Sequence, residues 1–177
     1  RREPAAGLSE EEAQPREVAR PMARNSLRID TAARLVAAPR AAIWQALVDA
    51  ERLIEWLPPQ GMSGRVELWE PKPDGRFRLA LRYDDPASNA GKTTAAEDLV
   101  EGRFVELLAN ERMIWAVTFR SDDPAFAGEM RMTWQLVEKP LGTEITITAE
   151  NVPTGISAED PVEGLFSTLD NLARYLG

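Results

Sequence analysis

Two short stretches of the chain carry the same chemistry: Asp84-Asp85-Pro86-Ala87 and Asp122-Asp123-Pro124-Ala125. Paired carboxylates are the first place to look for a calcium site or an acid–base pair. The spacing does not match a dedicated calcium-binding loop. Aspartate ahead of proline is ordinary turn chemistry, and its charge keeps a hairpin tip soluble. Asp84, Asp85, Asp122 and Asp123 are therefore expected to ring the mouth of a pocket without holding a metal. An acidic mouth disfavours anionic ligands. A second group, Glu97, Asp98 and Glu101, lies along one long strand. A member pointing inward would have its pKa raised by desolvation and could act as acid or base. Alternation alone does not say which, if any, points that way.

The chain contains no histidine and no cysteine. That removes the commonest general base at neutral pH, the thiolate nucleophile, and serine–histidine and cysteine–histidine hydrolysis. It also removes the usual zinc ligands. No residue is assigned a catalytic role, no metal or cofactor is expected, and the composition leans away from an enzyme. The remaining chemistry is that of large apolar side chains. Phe77, Leu79, Trp115, Val117, Met130, Met132 and Trp134 fall on one face of alternating strands, and Phe166 and Leu169 are expected to face them from a helix. Such a set lines either a packed core or an apolar pocket. Buried indole N–H groups want an acceptor, which a ligand oxygen or an ordered water supplies. In APRAAIWQALVDAERLIEWL (residues 38–57), Trp44 lies at core spacing. Trp56 lies off the apolar stripe and is expected near the pocket. Arg76, Arg78, Arg82, Arg103 and Arg131 read as a solvated outer face paired with glutamates.

The elements that position these residues are legible from periodicity. LRIDTAARLVA is a strand. Pro39 opens a helix as its first residue, with Ile43, Trp44, Leu47 and Val48 at helical spacing. Asp49 caps a second short helix that Pro58-Pro59 ends. From Gly64 the period becomes two, with Val66 and Leu68 assigned to one face of RVELWE. RFRLALRY follows, then the long KTTAAEDLVEGRFVELL with a bulge or bend expected at Gly102. RMIWAVTF, EMRMTWQLVE and TEITITAE complete six antiparallel strands after the helices, wetted on one side. Asp160-Pro161-Val162-Glu163 signals a helix start with Asp160 as cap. The apolar repeat to Leu176 gives a helix about 24 Å long. This predicts an α+β helix-grip fold: a curved antiparallel sheet of about seven strands around a long C-terminal helix. The connections after the third and fifth strands, and the entry to the last helix, fall at one end of that sheet.

At 177 residues with 44% hydrophobic residues, the chain suits one domain. Residues 27–177 are expected to form it. Residues 1–26, rich in charge and poor in large apolar groups, are expected to be a disordered or loosely docked arm, with Met22 a candidate natural start. A net charge of −8 with no basic cluster argues against nucleic acid, and no run is long enough to span a membrane. A cytoplasmic location and a monomer or homodimer are the expectations.

RLVAAPRAAIWQALVDAERLIEWL, DGRFRL, VEGRFVELLANERMIWAVTF, GTEITIT and VEGLFSTLDNLARYL, in that order, resemble the START-like, birch-pollen-allergen-like (SRPBCC) superfamily. Within it the chain is most similar to the group homologous to the activator of the heat-shock-protein-90 ATPase. The resemblance covers about Leu27 to Gly177. Where that group often has paired glycines this chain has Pro73-Asp74-Gly75, and where it often has Gly-Trp it has Gly164-Leu165. The fold and resemblance together imply binding of a small hydrophobic or amphipathic molecule between sheet and helix. The alternatives are a cyclase-like or hydrolase-like enzyme using a buried carboxylate, and a chaperone or stress-related interaction module with a protein partner.

Overall fold

The computed structural model describes residues 28–85, 87, 91, 93, 94, 96–156 and 160–177, with the backbone alone at 160–162. The arm expected over residues 1–26 and the cap side chain expected at Asp160 lie outside them. The chain forms β1 (Ile29–Val36), α1 (Arg40–Val48), α2 (Ala50–Trp56), β2 (Met62–Trp69), β3 (Arg76–Tyr83), β4 (Glu97–Leu108), β5 (Arg112–Phe119), a 3-10 turn (Pro124–Phe126), β6 (Met130–Lys139), β7 (Gly142–Glu150) and α3 (Asp160–Leu176). The seven strands make one antiparallel sheet in the order β1-β7-β6-β5-β4-β3-β2. This is the α+β helix-grip fold.

Local chemistry explains the breaks. Pro39 stands at the N-cap of α1, one position earlier than expected from the sequence. Asp49 separates the short helices: its Oδ1 accepts from the Glu51 and Arg52 amides at 2.9 and 3.2 Å. This satisfies two donors that the first turn of α2 leaves unpaired. Asn110 takes a left-handed φ of 62° in the tight turn between β4 and β5, a conformation asparagine tolerates better than most residues.

The inner face of the sheet is apolar and is covered by α3, whose Leu165, Leu169 and Leu172 are buried. The helix packs mainly along β1 and against α2. An Arg34–Asp170 ion pair ties it to β1, and Asn171 Nδ2 donates to the Pro58 carbonyl at 3.0 Å. The outer face carries the arginine–glutamate lattice: Arg78–Glu101 at 2.6 Å, Arg103–Glu129 at 3.6 Å and Arg131–Glu150 at 3.8 Å. A hydrogen bond from Arg112 holds the Glu106 carboxyl below the usual carboxylate range. These pairs are exposed, and each contributes little to stability.

Three expectations need correction. Val66 and Leu68 do not share a face, because the β2–β3 register shifts between them. Val66 faces Leu79, whereas Leu68 turns outward and Trp69 turns inward opposite Phe77. The irregularity in β4 lies between Phe104 and Glu106 rather than at Gly102. Gly102 serves packing instead: a Cβ there would come within 2.4 Å of both the Phe77 ring and the Ala116 carbonyl oxygen. Phe166 is 45% exposed, because the buried stripe of α3 runs through Leu165, Leu169 and Leu172, and Phe166 falls about 100° around the helix from Leu165.

Gly102→Ala should therefore destabilise the domain by about 1–3 kcal/mol through overpacking. Denaturant unfolding with an unchanged m-value is the check.

Candidate functional site

The inner face divides into a filled half and an open half. In the filled half, rings pack edge to face or tilted in a continuous cluster. Trp69 meets Phe104 at 5.0 Å and Trp115 at 5.9 Å, Phe77 meets Trp115 at 5.1 Å, Trp115 meets Trp134 at 5.5 Å, and Trp134 meets Trp56 at 5.9 Å. These centroid spacings and tilts are the favourable ones for aromatic pairs. Trp69 received no role in the sequence reading, because the bulge in β2 inverts the alternation just ahead of it.

Beyond the cluster lies a cavity of about 230 Å³ between the sheet and the first turns of α3. Phe77, Trp115 and Trp134 line its deep end. Leu79, Val117, Met130 and Met132 line its walls with Leu81, Val100, Ile147 and Ala149. Gly164, Leu165 and Thr168 border it from α3, and Leu57, Pro59, Phe119, Val152 and Ile156 complete its lining near the loops. None of these side chains is charged. The Thr168 hydroxyl donates to the Gly164 carbonyl of its own helix at 2.9 Å. Of the ten pocket residues expected from the sequence, seven border this cavity. Phe166 and Leu169 do not, since one is exposed and the other is packed fully into the core.

Trp56 does not border it either. Its ring is 2% exposed, and its Nε1–H donates to the Ala46 carbonyl at 3.1 Å. Trp69 Nε1–H donates to the Val48 carbonyl at 2.7 Å. Both acceptors belong to the last turn of α1, where carbonyls have no partner within the helix. Two indoles thus cap one helix end. Trp115 and Trp134 differ: they are 3% and 0% exposed, and among the described residues neither N–H has a hydrogen-bond partner. The additional lining residues of the strands, such as Leu81, Phe119 and Ala149, share the alternation phase of Leu79, Val117 and Ile147. Periodicity could have found them. Pro59 and Ile156 lie on connections and carry no periodic signal.

The Asp84 amide donates to the Gly61 carbonyl at 2.9 Å, joining the connections into β4 and β2, and the Gly155 amide to the Ala125 carbonyl at 2.8 Å, joining those into α3 and β6. None of Asp84, Asp85, Asp122 and Asp123, expected at the pocket mouth, is among the described residues that border the cavity. Asp85 Oδ1 accepts from the Ala87 amide and Asp123 Oδ1 from the Ala125 amide, both at 2.9 Å. These bonds are turn chemistry. Asp84 and Asp122 are likewise exposed. Among the described residues no cluster of acidic side chains is arranged to hold a metal ion. Of the three carboxylates on β4, Glu97 pairs with Arg65 and Glu101 with Arg78 on the outer side. Asp98 pairs in register with Leu81 on the inner side and is 2% exposed. It accepts from the Tyr83 hydroxyl at 3.3 Å and is not part of the cavity wall.

A curved antiparallel sheet that grips a C-terminal helix over an apolar cavity defines a helix-grip domain of the SRPBCC type. Residues 37–177 match the model of the family described as Activator of Hsp90 ATPase homolog 1-like protein, and the chain belongs to that family. Similar folds include protein CV1439 from Chromobacterium violaceum, at 26% identity and a TM-score of 0.74, covering 84% of this chain and 96% of that one. Protein Ms6760 from Mycobacterium smegmatis is 18% identical with a TM-score of 0.65, covering 84% and 90%. DynU16, from the dynemicin biosynthetic locus, is 19% identical with a TM-score of 0.60, covering 84% of this chain and 46% of that one. No curated protein matches. Among the described residues no helix is long and apolar enough to cross a membrane.

Because Trp56 caps α1 from within the core, Trp56→Phe should lower stability by about 1–3 kcal/mol through the orphaned Ala46 carbonyl. Equilibrium unfolding monitored by circular dichroism measures it.

Proposed function

We propose that this domain binds a small hydrophobic molecule in the cavity between the sheet and α3. One observation carries the reading: a 230 Å³ space walled by apolar side chains in a domain whose remaining core is closely packed. An engineered apolar cavity of ~150 Å³ stays dry and takes up benzene, so this one has room for a fused bicyclic ring. The space is somewhat smaller than the ~300 Å³ at which typical ligand pockets begin, which favours a compact ligand. Met130 and Met132 suit such a site, because a thioether adapts to flat apolar partners.

The test is direct binding of naphthalene-sized neutral aromatics, read by tryptophan emission and by a rise in melting temperature. Val117→Trp adds a further large ring to the cavity wall. It should weaken binding more than about ten-fold, the equivalent of ~1.4 kcal/mol, while stability holds or rises as the void is filled. A panel that shifts neither readout in the unmodified protein overturns the reading.

Gly164 gives an independent check on the helix side of the cavity. It lies inside α3, and a Cβ there would meet nothing within 4 Å. Gly164→Ala should stabilise the domain by about 0.5–1 kcal/mol, the helix-propensity difference, and, because Gly164 borders the cavity, should change the affinity of ligands that reach α3. Calorimetric melting and one binding titration report both.

An enzyme using a buried carboxylate is a second reading, and Asp98 is the residue that favours it. Asp98 is not among the lining residues of the cavity and is bonded to Tyr83, which makes this reading the weaker one. Asp98→Asn with unchanged ligand affinity fits the binding reading.

A further inference from the structure

The sheet ends on β1 and β2, and the two edges are finished differently. In β2 the register shifts between Val66 and Leu68, and Arg65 and Glu67 stand exposed. A bulge and charges are the ordinary means by which an edge strand is kept from pairing with another chain. β1 has neither on its outer side. Its eight residues pair with β7 without a shift, and among the described residues no other strand pairs with it. Ile29, Thr31, Ala33 and Leu35 share the outer phase and are all uncharged and exposed, Ile29 at 58% and Leu35 at 48%. Alternate amides and carbonyls of an edge strand point away from its one neighbour, and another strand is what satisfies them in series.

The sequence of β1 names the strand that fits. Laid antiparallel against a second copy about a twofold axis through Ala32, β1 sets Ile29 opposite Leu35, Asp30 opposite Arg34 and Thr31 opposite Ala33. Directly opposed residues share a face. The large apolar pair and the small pair therefore fall on the outer face. The charge pair falls on the inner face, the side on which Ala32 and Val36 are buried. A register two residues off in either direction sets Asp30 opposite Ala32 or Val36 and loses the charge pair. Asp30 is ion-paired with Arg28 at 3.0 Å, and Arg34 with Asp170. The centred register thus continues a row of alternating charge, Arg28, Asp30, Arg34, Asp170, from one copy into the other. Asp30 and Arg34 are the only charged residues of β1, so the strand is neutral on a chain of net charge −8. Contact here brings together the part of the surface least opposed by self-repulsion.

We propose that β1 is a dimerisation edge: two copies of this chain join β1 to β1, antiparallel and centred on Ala32, so that one sheet runs through both. The contact is isologous and closes on itself. No residue of β1 borders the cavity, so the proposal stands apart from the binding reading.

The test is the mass of the full chain in solution, followed by sedimentation velocity from about 1 to 300 µM. A contact of one strand a side lies at the small end of specific interfaces, and the mass should rise from one chain to two across that range. Two variants place like charges on exposed outer positions that face each other: Thr31→Lys/Ala33→Lys and Thr31→Glu/Ala33→Glu. Each alone should dimerise about ten-fold or more weakly, because like charges directly opposite are destabilising. An equal mixture of the two should recover a one-to-one dimer, which also shows that both have folded. The register is read by oxidation, since the chain has no cysteine of its own: Thr31→Cys and Ala33→Cys chains, mixed, should cross-link to each other in preference to themselves. An unmodified chain that stays monomeric throughout overturns the proposal. So does a dimer that both charge variants form unchanged, a mixture that recovers nothing, or preferential self-linking of either cysteine chain.

Discussion

The structure depends on how two indoles finish a helix. At the end of helix α1 the Asp49 amide donates back to the Gln45 carbonyl, but the Ala46 and Val48 carbonyls take their donors from indoles brought in by later elements. Trp56 reaches back to Ala46 from α2, and Trp69 reaches across to Val48 from β2. Each bond fixes a large ring as well as a helix end. Trp56 then packs on Trp134, and Trp69 on Phe104 and Trp115. The helix pair, the edge strand β2 and the middle of the sheet are thereby held by one aromatic cluster. Gly102 belongs to the same arrangement, because the Phe77 ring occupies the space its side chain would take.

That cluster also explains why a cavity exists. A curved sheet of seven strands presents more concave apolar surface than one 17-residue helix can fill. Rings fill the half of the face next to α1 and β2. Toward the connections the side chains are smaller, with Leu81, Val100, Val117 and Ala149 in place of the rings. The helix contributes Gly164 there, where no side chain projects. Void and filling are two sides of one distribution of volume along the strands. The polar consequence follows: Trp115 and Trp134 are buried, and among the described residues their N–H groups meet no acceptor.

Much of this was legible in the sequence. Alternation identified the strands and placed seven of the cavity residues on one face. Proline and aspartate punctuation separated α1 from α2, and the three-four repeat from Leu165 to Leu176 marked α3. The failures have physical causes. A one-residue bulge after Val66 reverses every side chain beyond it, so Leu68 and Trp69 exchanged places. The glycine at 102 signals a bend in sequence terms, but here it makes room for a ring brought in from β3. Trp56 and Trp134 look equivalent as letters. Their difference lies in whether a carbonyl ends up within reach, and tertiary structure alone decides that. Asp98 was one of three candidates on β4, and pairing register, not composition, turned it inward.

The cavity has a mechanical consequence as well. Pressure favours whichever state occupies less volume, and the volume lost on unfolding scales with the voids that unfolding eliminates. A domain with one apolar hollow beside a dense aromatic cluster is therefore soft on one side and stiff on the other. Compression acts first where α3 bridges the hollow at Gly164, Leu165 and Thr168, while the ring cluster transmits the load without yielding. An occupant of the hollow would remove that compressible volume, so hydrostatic pressure and occupancy oppose one another at the same few residues of the helix.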